Sequence, residues 1–281
     1  MIDNFAASWE LFRYTYMAGW LIAFVLSMTG VVVVARNQIF LGAAVSQAST
    51  FGIASAMWAG SAFVTHPWLV SDNFLSIMAV STSVLGALII SWESKAGGES
   101  REAVTGWVFL LAASAAILLV TRSPHGIEEI HRIQSSSIIG ASAQEFTIFL
   151  AFALVTATVA TVARAKLLLL IMDPAMAAAM GLKTRRWSAA IAVWIGLTVG
   201  VAIKSSGMLY TFGCLVLPAL AAKNLCREVG SMFAVSAVIG AVSALLGFLM
   251  ANHYDYPPGQ LTVAVLSTVV ALTWIRRRFS G

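Results

Sequence analysis

Apolar runs recur along almost the whole chain, each close to the 20 or so residues that a helix needs to cross a bilayer, with short polar turns between them. Measured that way, spans fall at 14–35, 40–64, 74–92, 105–120, 145–162, 187–203, 208–222, 232–251 and 259–275. The pattern predicts an all-α polytopic membrane protein with about nine transmembrane helices. The count becomes eight or ten if 126–142 dips into the membrane or a short span is re-entrant. No polar stretch is long enough for a separate soluble domain, so residues 1–281 read as a single transmembrane domain.

Polar positions inside two of these spans depart from a plain lipid-facing pattern. In the second span Ala43, Ser46, Gln47 and Thr50 recur at helical spacing and share one face. A neutral polar stripe in an apolar helix marks a helix contact or a passage, and the expectation here is a passage. In the seventh, Tyr210, Thr211 and Cys214 share a face and are candidates to line the same path, with packing as the other reading of each. Pro218 removes a helical hydrogen bond below them and should bend the span. Gly196 and Gly200, and the series Gly240, Ala244 and Gly247, read as close helix contacts.

Composition strengthens the membrane reading. The chain is 59% hydrophobic and 10% charged, whereas soluble domains carry about 25% charged residues. A net charge of +5 would fit nucleic acid if it formed one patch, but the basic residues are spread between spans, so no nucleic-acid partner is expected. Two cysteines, Cys214 and Cys226, make no disulfide framework. The N-terminus lacks the basic start and cleavage site of a secretory signal, and the first span is expected to direct insertion.

Lysine and arginine set the expected orientation. Arg36, Lys95, Arg101, Arg164, Lys166, Lys183, Arg185, Arg186, Lys223, Arg227 and Arg276 to Arg278 fall on one side, thirteen of seventeen. Arg13, Arg122, Arg132 and Lys204 fall on the other. The thirteen-residue side should be cytoplasmic, which puts the N-terminus outside and the C-terminus inside. His66, His125, His131 and His253 then lie at external loops. Glu128 and His131 stand at i and i+3, but four scattered histidines make no metal-binding motif. All twelve carboxylates sit in loops or at span ends, Glu10 and Glu145 nearest the apolar segments. Ion-coupled carriers and proton pumps keep an ionisable group at mid-depth, so the driving energy here is expected from a separate ATPase.

The longest basic loop, 164–186, holds a short helix with clear punctuation. Asp173 precedes Pro174, an N-cap with proline at the first helical position, and Gly181 supplies the stop. Between them lie Ala175, Ala177, Ala178 and Ala179 with Met176 and Met180. Small and adaptable side chains suit a helix lodged in another protein's groove; an interfacial helix on the inner leaflet is the alternative.

These pieces, in order, resemble the permease subunit of binding-protein-dependent ABC importers for zinc, manganese or iron. The matching runs are GVVVVARNQIFLGAAVSQAS (30–49), GWV (106–108), SIIGAS (137–142), DPAMAAAMGL (173–182), GMLYTFGCLVLPALAA (207–222) and DYPPGQLTVAV (255–265), nearly the whole length. The resemblance implies a multi-pass protein of the bacterial plasma (inner) membrane, not itself an enzyme. It implies two permease subunits around a pore, two cytoplasmic ABC ATPases beneath, a periplasmic substrate-binding protein, and surrounding membrane lipid. This chain would bind no cofactor; ATP would be used by the partner subunit. Asp173 to Gly181 would be the coupling helix, with Asp173, Pro174, Ala175, Ala178 and Gly181 as its ATPase-facing residues.

One departure matters. The family's second span typically reads Gly-Asp-Ala-Leu-Ser-His-Ala, whereas this chain has Gly42, Ala43, Ala44, Val45, Ser46, Gln47 and Ala48. The carboxylate and imidazole positions are Ala43 and Gln47, so no metal ligand is carried over. Three explanations stay open: a heterodimer with a ligand-bearing permease, import of a metal chelate, or a bare conduit in which Cys214 and Met208 assist a soft ion. A non-transporting membrane scaffold and a secondary carrier are the other classes.

Overall fold

A computed structural model describes residues 2–62, 71–92, 100–121, 138 and 141–279. Among them the regular structure is entirely helical: α1 (Ile2–Ala35), α2 (Ile39–Ala62), α3 (Asp72–Ser91), α4 (Arg101–Val120), α5 (Ala143–Val162), α6 (Arg164–Met172), α7 (Pro174–Ala179), α8 (Thr184–Leu225), α9 (Val229–Tyr254) and α10 (Pro258–Phe279). Eight of these are long and apolar enough to cross a membrane. Serines open three of them. Ser71 and Ser100 accept from the backbone of Phe74 and Ala103, and Ser142 forms a capping box with Glu145.

The eight helices accommodate the nine expected spans because α8 is broken. Gly207 has φ 79° and ψ 168°, outside helical geometry, and divides α8 between the expected spans 187–203 and 208–222. Proline does not make this break. Pro218 lies eleven residues further on, inside the helical stretch. The basic loop also holds a helix that its charge had hidden, α6, which buries Leu167, Leu170 and Ile171. His66, His125, Glu128, His131 and most of 126–142 lie outside the described residues.

Contacts group the chain into two compact units: Met1–Asn37, Ser137–Leu182 and Ser205–Gly281 in the first; Gln38–Ser136 and Lys183–Lys204 in the second. Within the first, helices approach until only a hydrogen fits between them. A Cβ on Gly30 would overlap the Leu215 carbonyl oxygen, and one on Gly240 would stand 2.8 Å from Ser27 Cβ. Ser236 donates to the Ser27 carbonyl at 2.7 Å. The second unit uses the same device: Gly52 lies against the Met78 backbone, Gly196 against Val84, and Ser83 donates to the Gly196 carbonyl at 2.7 Å. The glycine spacings expected to mark helix contacts do so here.

Each unit keeps its ends sorted as the charge pattern requires. In the second, Lys204 Nζ donates to the Asp72 carbonyl and Ser76 Oγ, both at 2.7 Å, while the Arg185 guanidinium stacks on Trp92 at 4.9 Å. In the first, Lys223 donates to Asn37 at 2.9 Å, and Ser205 donates to Glu145 at 2.6 Å. Every pair joins segments that the basic-residue count assigns to one side.

Candidate functional site

The α2 face lies in the second unit. Ala43 is half-buried, whereas Ser46, Gln47 and Thr50 are buried. Thr50 Oγ1 donates back to the Ser46 carbonyl at 3.2 Å, the usual local outlet for a hydroxyl in a helix. Ser46 Oγ and Ser49 Oγ have no hydrogen-bond partner. A buried hydroxyl without a partner costs roughly 1–3 kcal/mol, so two on one helix face stand out. Ser49 was absent from the expected stripe, although its i+3 spacing from Ser46 put the signal in reach.

Tyr210, Thr211 and Cys214 lie in the first unit, all buried. Tyr210 OH donates to the Gly19 carbonyl at 2.9 Å, and its ring meets Phe248 edge-on with centroids 6.3 Å apart. Thr211 Oγ1 donates to the Gly207 carbonyl at 2.7 Å, bridging the helix break. Cys214 is a free thiol in the same interior. The α2 face falls in the second unit and these three residues in the first.

Divalent transition metals leaving water need carboxylate, imidazole or thiolate donors. The α2 face offers hydroxyls and one amide. Among the described residues no group of three or more His, Cys, Asp or Glu side chains converges; His253 stands beside the Tyr254 ring, centroids 4.8 Å apart.

The α7 helix is built as its sequence implies. Asp173 accepts from the backbone N–H groups of Ala175 and Met176 at 3.0 and 2.9 Å, with Pro174 at the first position. At the other end Leu182 N–H reaches back to the Ala177 carbonyl at 3.0 Å, a wrap that needs the left-handed backbone of Gly181, φ 82°. Ala177 is buried and anchors the helix. Ala175, Ala178 and Ala179 are exposed, as are Met172, Met176 and Met180 at 68%, 54% and 65%. The methionines repeat every four residues and flank the alanines with an adaptable apolar face.

Comparison with known proteins agrees with this architecture. The chain matches the ABC 3 transport family over residues 8–277. It is 24% identical over 270 residues to the manganese transport system membrane protein MntC of Halalkalibacterium halodurans, covering 94% of this chain and 88% of that one. With MntB of the manganese transport system of Synechocystis it shares 28% identity over 175 residues, 62% of this chain and 57% of that one. Among solved structures, PsaBC from Streptococcus pneumoniae in complex with Fab superposes with a TM-score of 0.79 at 19% identity, covering 98% of this chain and 95% of that one. An ABC transporter assigned to the metal-chelate type, in an inward-facing conformation, gives 0.75 at 16% identity over 94% and 87%. Both show the same fold. A family match that omits only the chain ends, on a helical multi-span architecture, has one reading: this chain belongs to the ABC 3 transport family and is a multi-pass permease of the bacterial inner membrane, a transport subunit and not an enzyme.

Proposed function

We propose that the chain is the transmembrane subunit of an importer for a divalent transition metal, with manganese the first candidate, driven by a separate cytoplasmic ATPase docked at α7 and supplied by a periplasmic binding protein. The observation that carries the ATPase role is α7 itself. Both of its ends are pinned and its Ala175–Ala178–Met176–Met180 surface is exposed. Manganese comes from the relatives, several of which are manganese transport proteins.

The donor-poor α2 face favours a pairing in which a second, different permease supplies the metal ligands. A metal chelate as cargo is the second reading, since unpartnered Ser46 and Ser49 hydroxyls suit the oxygen-rich periphery of an organic ligand better than a bare ion. The test is isolation of the complex in mild detergent, identification of its subunits by mass spectrometry, and ATP-driven uptake of radiolabelled manganese, zinc and iron, free and chelated, in proteoliposomes. A complex without an ATPase would remove the importer reading; uptake of free manganese by a homodimer would remove both accounts of the missing ligands.

Orientation has its own check. Cys214 is buried and Cys226 is part-exposed, so Cys226 is the thiol within reach of a reagent. A membrane-impermeant maleimide should miss it in intact cells and label it in inside-out vesicles. Labelling in intact cells would invert the topology and take α7 away from any cytoplasmic ATPase.

A further inference from the structure

The second unit carries a groove of about 310 Å³ between α2, α3 and α4. Its floor is made of small residues, Gly86, Ala112 and Ala115, and its walls of Ile89, Trp107 and Leu111, which are about half exposed. Thr82 supplies the lining's hydroxyl and donates it to the Met78 carbonyl at 2.8 Å, so that hydroxyl needs no partner from an occupant. An extended hydrocarbon chain fits.

The groove also leads to a charged end. Trp92, one turn beyond Ile89, is 71% exposed, and the exposed Arg185 guanidinium lies 4.9 Å over its ring. Arg101 opens α4 about 9 Å along the axis from Trp107. Glu102 follows it but points about 100° round the helix. Tryptophan and arginine together at a span end mark the headgroup level, and basic pockets between spans recognise anionic headgroups.

We infer that this is a binding site for an anionic phospholipid, one acyl chain lying in the groove against Trp107 and Leu111 and the phosphate held by Arg185 and Arg101. The site stands independently of cargo and ATPase. It gives unit 2 a partner selected by charge at one end and by shape along its length.

The experiment uses the full-length chain with its co-purifying subunits. Native mass spectrometry is run with added phosphatidylglycerol or phosphatidylcholine, on wild type, Arg185→Gln and Ala115→Phe. Wild type should retain phosphatidylglycerol preferentially. Arg185→Gln should lower that preference about fivefold, the usual weight of one basic residue at the surface. Ala115→Phe fills the groove and should lose the retained lipid of both kinds. Trp107→Phe leaves the groove open and guards against misfolding of the bulkier variant: it should remove the part of the tryptophan emission quenched by phosphatidylglycerol brominated on its acyl chains. Equal retention of the two lipids by wild type, undiminished retention by Ala115→Phe, or quenching unchanged in Trp107→Phe would each overturn the proposal. So would a loss of subunit association in Ala115→Phe with lipid retained, which would assign the groove to a second permease.

Discussion

The α2 face and the second half of α8 both place hydroxyls inside apolar helices, yet they treat them oppositely. Below Gly207, Tyr210 and Thr211 are committed: one hydroxyl ties α8 to the Gly19 carbonyl of α1, the other closes the helix break at Gly207. Ser236 does the same between α9 and α1. On α2, Ser46 and Ser49 are as deeply buried but commit to nothing. Hydroxyls of the first kind hold helices together in a medium that gives no hydrophobic push between spans. Those of the second kind add nothing to a static fold and are intelligible as ligands for something that passes. These particular hydroxyls thus divide by use: Tyr210 and Ser236 lock helices of unit 1 together, whereas Ser46 and Ser49 on α2 have no partner.

The strongest way to break that division is to attack the locked region. Gly30 lies so close to the Leu215 carbonyl oxygen that any side chain must push α1 and α8 apart. Overpacking of this kind costs about 1–3 kcal/mol, occasionally more, and here the obstacle is backbone that cannot rotate away. Gly30→Leu should abolish the monodisperse, detergent-stable protein. Wild-type yield and melting temperature in that variant would show that unit 1 is loosely packed, and the contrast with α2 would lose its basis.

Next in size is α7, the helix proposed above to dock the ATPase. Ala178→Trp adds bulk to an exposed face and should leave folding intact while reducing ATPase association about tenfold, the equivalent of about 1.4 kcal/mol. Association is read by pull-down of the ATPase from the solubilised complex. If binding and cargo-stimulated hydrolysis are unchanged, α7 is an interfacial helix only.

The elements were legible in advance for a simple reason. A 20-residue apolar run needs no partner to declare itself, and Asp173-Pro174 and Gly181 announce a helix start and stop through their own backbone chemistry. The glycine contacts at Gly196, Gly200, Gly240 and Gly247 were legible from spacing. What could not be read was anything decided by packing. The expected spans 187–203 and 208–222 already left the break between them, but that one glycine of 21, Gly207, makes it with φ 79° is visible only in the backbone. Ser83 and Ser49 look alike in sequence, each a serine in an apolar span. One donates to Gly196 and the other to nothing. Tyr210 shares a helical face with Thr211 and Cys214, and nothing in that spacing announces the bond from its hydroxyl to the Gly19 carbonyl of α1.

The open face can be sharpened by giving it the donors it lacks. Positions 43 and 47 are a helical turn apart, with Cβ atoms about 5–6 Å from each other. An aspartate and a histidine there could close on one ion at about 2.0–2.2 Å. Ala43→Asp with Gln47→His should raise manganese or zinc affinity of the purified subunit at least tenfold, and the gain should fade at acid pH, where the imidazole is protonated and cannot ligate. Equilibrium binding is measured with His66, His125, His131 and His253 replaced in both proteins. Equal binding by the starting protein would mean that coordination comes from elsewhere in the chain.

The smallest effects test the comparison most directly, because they should differ in sign. Tyr210→Phe removes a single interhelical hydrogen bond, and such bonds in membranes average about 0.6 kcal/mol, so the melting temperature should fall slightly. Ser46→Ala and Ser49→Ala each remove a buried hydroxyl that has no partner. Losing an unsatisfied group is nearly neutral or stabilising, so melting should hold or rise. If these hydroxyls serve the passage, ATP-driven uptake should fall in the two alanine variants while stability does not, and Tyr210→Phe should show the reverse. The decisive reading is therefore the pair of measurements on each variant, melting and uptake, and not either one alone. Should Ser46→Ala and Ser49→Ala lose stability as Tyr210→Phe does, their hydroxyls are bonded within the folded protein, and α2 is as closed as the interior of unit 1.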